Sequence, residues 1–223
     1  AFIGKGGKDA PGDRGENWMR EAGVDTSGLL RSDEVSTGQG VRVVARDGQN
    51  LIVCGESSSR ALTWEEVRDQ LHRLKGAAWF VTGFEIREEL ALAAAREAKA
   101  LGMGTVLNFS PIQTVEVGAL DYIDYLVVNE TEVARLAGVD DWRSMPLRDL
   151  LARVRDRYRC GCVVATLGGE GSAGLKGETF WQIPPVRVEV VDTSGAGDAF
   201  LSAMVVNLVW GKDIQEACRW AGA

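Results

Sequence analysis

The sequence predicts an α/β protein of three layers, α/β/α, in which helices cover both faces of a mainly parallel central sheet. Downstream of Thr63, short apolar segments alternate with amphipathic segments, which is the pattern of repeated strand–helix units. Short apolar strands separated by amphipathic helices indicate a mainly parallel sheet that is covered on both faces. Residues 36–56 differ, because apolar side chains recur at every second position, Val41, Val43 and Ala45, before the turn Asp47-Gly48-Gln49-Asn50, and Leu51 to Cys54 returns after it. This pattern predicts a β-hairpin, interpreted as a small β lid.

Capping residues and periodicity place the individual elements. Thr63 and Glu66 have the spacing of a capping box, which predicts a helix from Thr63 to about Leu74. Helical spacing predicts further helices at 88–101, directly after Asn129, at 147–158, and from about Gly195 and Ile214. Apolar runs predict strands at 78–82, 105–108, 125–128, 162–167, 173–176 and 187–191. Since parallel sheets bind ligands at the carboxyl ends of their strands, functional residues are expected in the loops that follow those ends.

The composition argues against several functional classes. Hydrophobic residues make up 45% of the 223 positions and charged residues 26%, an ordinary balance for a globular protein. The net charge of −7 argues against a nucleic-acid partner, and no apolar run approaches the ~20 residues of a membrane span. The start carries no secretory signal, and the cysteines lack the spacing of a zinc or redox pair. We therefore expect free thiols, a cytoplasmic location and no membrane partner.

The most informative segment runs from Val190 to Phe200, where an apolar run ends in a turn of small residues and a helix follows. Gly195, Ala196 and Gly197 allow the backbone to approach a ligand closely. Their N–H groups and the helix dipole would bind an anion, such as a transferring phosphoryl group. Asp198 would lie beside that anion, where a carboxylate can accept the proton of an attacking hydroxyl. Taken alone, the turn fits equally well a tight strand-to-helix connection whose acidic residue complements the dipole.

The segment from Asp192 to Phe200 (Asp-Thr-Ser-Gly-Ala-Gly-Asp-Ala-Phe) resembles the carboxyl-terminal signature of the ribokinase-like, or PfkB-type, carbohydrate kinases. Other segments resemble that family's motifs in the same order, over essentially the whole chain: Gly4–Gly12, Gly23–Ser27, the hairpin, Leu107–Pro111, Asn129–Glu132 and Thr166–Gly171. The resemblance implies one ribokinase-like kinase domain over residues 1–223. It also implies ATP-dependent, in-line phosphorylation of a hydroxyl of a sugar-like molecule, as in ribokinases, fructokinases and ketogluconate kinases.

The resemblance further implies roles for residues of the transfer site. Asp198 is expected to be the catalytic base, with the backbone N–H groups of Gly195, Ala196 and Gly197 forming an anion hole. The segment Thr166–Gly171, called the nucleotide-side loop below, is expected to flank ATP. Its implied nucleotide-binding residues are Thr166, Gly168 and Gly171.

Two pairs of residues are expected to hold metal ions. The resemblance implies that Asn129 and Glu132 hold Mg²⁺ and its waters, and amide and carboxylate oxygens are hard ligands suited to that ion. The same pair also has the pattern of a helix N-cap with a capping box, so that both interpretations stay open. Asp192 and Ser194 lie where relatives bind a monovalent cation, and K⁺ is the ion expected there.

The substrate contacts are the least defined part of the prediction. Glu56 and Arg60 are candidate sugar contacts, and solvated charges at the hairpin exit are the alternative. The resemblance also suggests a homodimer formed through the hairpin at 36–56. The sequence lacks an initial Met and ends inside a predicted helix, so we expect a piece of a longer protein, truncated at both ends. The alternative function is therefore a non-catalytic nucleotide- or sugar-binding member, or an inactive fragment.

Overall fold

The computed structural model describes residues 1–44, 50–55, 58–189 and 192–223. Its strands are β1 (Ile3–Gly7), β2 (Gly28–Ser32), β3 (Gly40–Val44), β4 (Asn50–Cys54), β5 (Trp79–Thr82), β6 (Gly104–Asn108), β7 (Tyr125–Asn129), β8 (Cys162–Thr166), β9 (Ser172–Lys176) and β10 (Thr179–Ile183). Its α-helices are α1 (Ala10–Glu21), α2 (Trp64–Arg73), α3 (Glu88–Ala100), α4 (Glu130–Ala137), α5 (Leu147–Tyr158), α6 (Ala196–Val209) and α7 (Ile214–Ala221). Short 3₁₀ turns occur at Ser58–Ala61, Trp142–Ser144 and Gly168–Glu170. None of the helices in these ranges combines the length and apolarity needed to cross a membrane.

Short polar side chains determine where several helices begin. Thr63 Oγ1 accepts the Glu66 N–H at 3.3 Å, and Glu66 Oε2 accepts the Thr63 N–H at 2.8 Å, which completes the predicted capping box of α2. Asp9 Oδ1 accepts the Gly12 N–H at the start of α1, and Asp213 caps α7 in the same way. Helix α6 is different, because Gly195 at its N-cap offers no side-chain acceptor to the first N–H groups.

The chain divides into two compact units, residues 1–75 with 85–94 and residues 76–84 with 95–223. In the first unit β1 and β2 are parallel neighbours, whereas β3 and β4 are antiparallel. Arg31 supports the end of β1, since its Nε and Nη2 donate to Gly7 O at 2.9 and 2.7 Å. The β3–β4 pair lies within the range predicted to form the hairpin, while the predicted turn residues 47–49 lie outside the described residues.

The second unit is built on a six-stranded sheet in the order β10-β9-β8-β7-β6-β5. Strands β5 to β8 are parallel, β9 is antiparallel to β8, and β10 is antiparallel to β9. Helices α6 and α7 bury Phe200, Met204 and Cys218 in a cluster with alternate residues of the strands, and α4 and α5 contact β7 and β8. Because α4 and α5 cover the other face, the predicted fold class, a mainly parallel sheet between two helical layers, is confirmed.

One predicted strand is wrong. Residues 184–189 have no regular secondary structure and are exposed, so that the strand expected at 187–191 does not form over its described part. Val188 alone has 71% of its surface exposed. The apolar alternation there resembles a strand, but a strand also needs a hydrogen-bonded neighbour. The described neighbour of β9 beyond β8 is β10, at Thr179–Ile183.

Candidate active site

The carboxyl ends of the parallel strands bring predicted site residues to one edge of the sheet. Asn129 ends β7 and is the register partner of Thr166, which ends β8. The neighbouring strand β6 ends at Asn108, opposite Val127, and Ser110 lies in the loop that follows. The polar ends of these strands therefore lie side by side, which is the usual position of a ligand site in a parallel sheet.

Asn129 and Glu132 form a complete capping box at the start of α4. Asn129 Oδ1 accepts the Glu132 N–H at 2.8 Å, and Glu132 Oε2 accepts the Asn129 N–H at 2.8 Å. Glu132 is only 3% exposed. Burial raises the pKa of its carboxyl, although hydrogen bonds from Asn129 and Ser110 act in the opposite direction. The capping interpretation of this pair is thus met, and their predicted role in binding Mg²⁺ stays a prediction.

The nucleotide-side loop begins at Thr166 and is closed by its own backbone. Leu167 N donates to Gly171 O at 2.8 Å, and Gly171 N donates to Gly168 O at 3.1 Å. Gly168 and Gly171 have φ of +53° and +88°, the left-handed region that favours glycine. A Cβ on Gly171 would lie 2.1 Å from Ile183 O, so this position also lacks space for a side chain. The left-handed backbone conformation therefore explains why glycine occupies positions 168 and 171. The contact of these residues with a nucleotide stays a prediction.

The direction of α6 places its first turn at the same edge of the sheet. A cavity of about 460 Å³ is lined by Gly211, just after α6, together with Tyr125 at the start of β7 and Thr179 at the start of β10. The carboxyl end of α6 therefore lies at the amino ends of these strands. The 14 residues of α6 span about 21 Å, slightly more than a five-residue strand. Its amino end, with Asp198, consequently lies at the carboxyl edge, where Asn129 and Thr166 end their strands.

The first turn of α6 has the properties predicted for an anion site, with one difference. Gly195 has φ of +75°, and all residues from 192 to 199 are exposed. The Ala196 N–H already donates to Thr193 O at 3.2 Å, whereas those of Gly195 and Gly197 donate to no backbone acceptor among the described residues. Of the three N–H groups predicted to form the anion hole, those of Gly195 and Gly197 are thus available and that of Ala196 is not. The Asp198 backbone O accepts a hydrogen bond from Ser202 Oγ, and its carboxylate is exposed.

Asp192 and Ser194 are brought together by a local turn. Asp192 Oδ1 accepts the Ser194 N–H at 2.9 Å and the Ser194 hydroxyl at 2.5 Å. This Asx turn orders the segment directly before the first turn of α6. It also places two oxygens of these side chains close together, which suits a monovalent cation but does not require one.

The candidate sugar contacts are only partly described. Glu56 lies outside the described residues. Arg60 lies in the 3₁₀ turn at Ser58–Ala61 and is exposed.

Among the residues that the structure describes, the site has no preformed metal-binding cluster of acidic side chains. Over the described ranges, no three His, Cys, Asp or Glu residues come together as a metal-binding group. Mg²⁺ commonly uses one or two protein oxygens and completes its shell with water and substrate phosphates. The oxygens of Asn129 and Glu132 are of the right chemical type for that arrangement, although each already takes part in the capping box.

The comparisons with known proteins agree with these observations. Residues 1–223 match the family described as pfkB family carbohydrate kinase. The ribokinase of Staphylococcus aureus (strain COL) is 30% identical over 207 residues, covering 93% of this chain and 68% of that protein. The ribokinase of Arabidopsis thaliana is 31% identical over 234 residues, covering 100% of this chain and 60% of that protein.

A solved structure agrees as well. The structure of Arabidopsis thaliana ribokinase complexed with ribose and ATP aligns with a TM-score of 0.86 and 28% identity, covering 99% of this chain and 72% of that one. The chain thus has the predicted ribokinase-like fold and spans part of the length of its relatives. The family and its enzyme class, both predicted from the motifs, are confirmed: the chain belongs to the pfkB family of carbohydrate kinases.

Proposed function

We propose that the chain supplies the transfer site of an ATP-dependent kinase that phosphorylates a hydroxyl group of a sugar. One observation carries this proposal: the direction of α6 points its exposed first turn, which contains Asp198 and has no side-chain cap, toward the carboxyl edge of the sheet, the edge at which Asn129 and Thr166 end their strands. Family membership and the ribokinase relatives, one of them solved with ribose and ATP, support sugar and ATP as the two substrates.

Asp198 is the proposed general base. Its carboxylate is exposed and lies in the first turn of α6, where a sugar hydroxyl can reach it. As the hydroxyl oxygen forms a bond to the γ-phosphorus of ATP, the bond from that phosphorus to the β–γ bridging oxygen breaks and ADP leaves, while the hydroxyl proton passes to the carboxylate of Asp198. A base in this place contributes a factor of roughly 10²–10⁴ to the rate.

The N–H groups of Gly195 and Gly197 are the proposed anion hole. Both lie at the positive end of the dipole of α6, and neither donates to a backbone acceptor among the described residues. Donors fixed in this way stabilise the charge of the transferring phosphoryl group without rearranging during the reaction. Ala196 contributes through the shape of the turn, since its own N–H is bonded to Thr193 O.

The strand ends would bind the polyphosphate. Because Asn129 Oδ1 is occupied by the Glu132 N–H, its Nδ2 group is the part of that side chain available to donate a hydrogen bond to a phosphate or to a metal-bound water. Thr166, Gly168 and Gly171 would flank the nucleotide. When bound, Mg²⁺ would neutralise charge on the phosphates, held through water by Asn129 and Glu132. Asp192 and Ser194 are proposed to bind K⁺ beside the anion hole.

The β3–β4 pair is proposed to form a lid and the contact of a homodimer. Val41 and Val53 are register partners on the two strands, and their side chains are 63% and 56% exposed. An exposed pair of apolar side chains on a two-stranded ribbon favours burial against another surface. Sedimentation or size-exclusion measurements on the wild type and on Val41→Lys test the dimer, which the lysine should dissociate.

A substrate panel tests the proposed reaction. The protein is incubated with ATP, Mg²⁺ and ribose, fructose, a ketogluconate or a nucleoside, and ADP release is compared with a reaction that lacks the acceptor. Acceptor-dependent ADP release, with formation of the phosphorylated acceptor by mass spectrometry, is the expected result. Binding of ADP or sugar without any turnover would instead identify a binding protein or an inactive fragment.

A further inference from the structure

The tip of the nucleotide-side loop is held by a side chain that the family motifs do not include. Arg143 Nη2 forms a charge-assisted hydrogen bond with Glu170 Oε1, across 27 positions of the sequence. Glu170 is the last residue of the 3₁₀ turn Gly168–Glu170, directly before Gly171. The ion pair therefore ties this loop to the segment between α4 and α5.

Arg143 is itself held in place by its own segment. Its guanidinium lies over the Trp142 ring at 4.3 Å, a cation–π geometry. Its backbone N–H donates to Asp141 Oδ1 at 2.9 Å, which caps the 3₁₀ turn Trp142–Ser144. The anchor of the ion pair is thus more ordered than an isolated surface arginine.

A second carboxylate, that of Glu130 at the start of α4, lies beside the same loop. Glu130 Oε1 is 3.6 Å from the position that a Cβ on Gly168 would take. Glu130 also acts electrostatically on Arg143, and the hydrogen bond with Glu170 is the main cause of the raised pKa of the guanidinium. The charge of Arg143 consequently offsets two acidic side chains beside the loop, close to the strand ends of Asn129 and Thr166.

We propose that Arg143 is a positioning residue for nucleotide binding, which holds the nucleotide-side loop in its binding conformation through Glu170. The inference rests on the proposed ATP site at Thr166 and Gly168. The loop is closed at its base by the Leu167–Gly171 and Gly168–Gly171 backbone hydrogen bonds, so that the ion pair restrains only the tip. The Arg143 and Glu170 side chains are 58% and 48% exposed, and exposed pairs have small effects. We therefore expect a change of about two- to fivefold in nucleotide affinity.

The test measures the dissociation constant of ADP by calorimetry, together with kcat and both KM values, for Arg143→Ala, Glu170→Ala and the double variant. Positioning predicts that each single variant weakens ADP binding and raises KM for ATP about two- to fivefold. The double variant should be no worse than either single variant, and KM for the sugar should not change. The reciprocal pair, Arg143→Glu with Glu170→Arg, should restore binding. Arg148→Ala is the matched control, because Arg148 is similarly exposed and pairs with Glu178 at the β9–β10 turn.

Some outcomes would contradict the positioning role of Arg143, and a different outcome would contradict the proposed function. If the ion pair acted only through charge, Glu170→Ala would tighten ADP binding by removing a negative charge near the phosphates, and this result would overturn positioning. Unchanged binding in both single variants would overturn it as well, as would equal effects on kcat and both KM values. A wild-type protein that binds no ADP and releases none with any acceptor would instead overturn the proposed function itself.

Discussion

Replacing Asn129 by alanine and by serine separates the two roles that this residue can have. Alanine removes the side-chain acceptor of the Glu132 N–H, a hydrogen bond of 2.8 Å. Loss of an N-cap costs about 0.5–2 kcal/mol, and the upper part of this range applies because Glu132 is 3% exposed and its N–H would lose its partner. For a chain of 223 residues, about 1–2 kcal/mol lowers Tm by about 2–8 °C.

Serine can cap the helix but has no amide Nδ2 group. We therefore expect Asn129→Ser to unfold within about 0.5 kcal/mol of the wild type, since serine and asparagine are comparable N-caps. The proposed contact of Nδ2 with a phosphate or a metal-bound water would be lost, and turnover should fall about 10- to 100-fold. Urea unfolding and ADP-release assays on the same samples measure both effects. Equal stability of the serine and alanine variants would refute the capping argument, and full activity of the serine variant would refute the ligand role.

Three further predictions follow from burial and packing in the second unit. Burial raises the pKa of the Glu132 carboxyl above its ordinary value, so the folded protein holds this proton to a higher pH than the unfolded chain does, and stability falls as pH rises through the raised pKa. Glu132→Gln should remove this part of the pH dependence of the free energy of unfolding in urea. A pH dependence equal to that of the wild type would contradict the prediction. Gly171→Ala should lower the free energy of unfolding by about 1–3 kcal/mol, because this position has a positive φ and the new Cβ would clash with Ile183 O. The control Gly169→Ala, whose Cβ would meet nothing within 4 Å, should change the free energy of unfolding by less than about 0.5 kcal/mol. Similar losses in both variants would refute the packing argument. Burial raises the pKa of the Cys160 and Cys218 thiols to about 12, so both should remain unmodified when the native protein is treated with iodoacetamide at pH 8 and its peptides are analysed by mass spectrometry. Rapid labelling of either thiol would contradict this prediction.

The helices of the second unit could be predicted closely, because their signals are local. The predicted range 147–158 coincides with α5, and the polar residue Asn129 marks the start of α4. These helices bury regular apolar stripes, such as Leu150, Leu151 and Val154. A capping residue followed by such a stripe determines both the start and the buried face of a helix.

The two strands before the hairpin could not be predicted, because long-range contacts stabilise them. Strand β1 has the sequence Ile-Gly-Lys-Gly-Gly, which has neither β-branched enrichment nor alternation. Arg31 reaches across to Gly7 O, and Lys5 Nζ forms an ion pair with Glu66 at 2.7 Å. Each of these contacts joins residues that lie far apart in the sequence.

The candidate site was predictable at the level of motifs but not of contacts. The small-residue turn before Asp198 is visible in the sequence, and its position at the carboxyl edge follows only from the direction of α6. The burial of Glu132 and the ion pair between Arg143 and Glu170 depend on how separate loops meet. No local pattern encodes either of them.

The central claim, that Asp198 receives the proton of the sugar hydroxyl, is tested most directly by the turnover of Asp198→Asn. With the acceptor identified by the substrate panel, kcat should fall by a factor of roughly 10²–10⁴, while the ADP dissociation constant stays within about threefold. Asp213→Asn is the matched control, because Asp213 also lies at a helix start, at the opposite edge of the sheet, and asparagine keeps its cap. A near-normal kcat for Asp198→Asn would contradict the account.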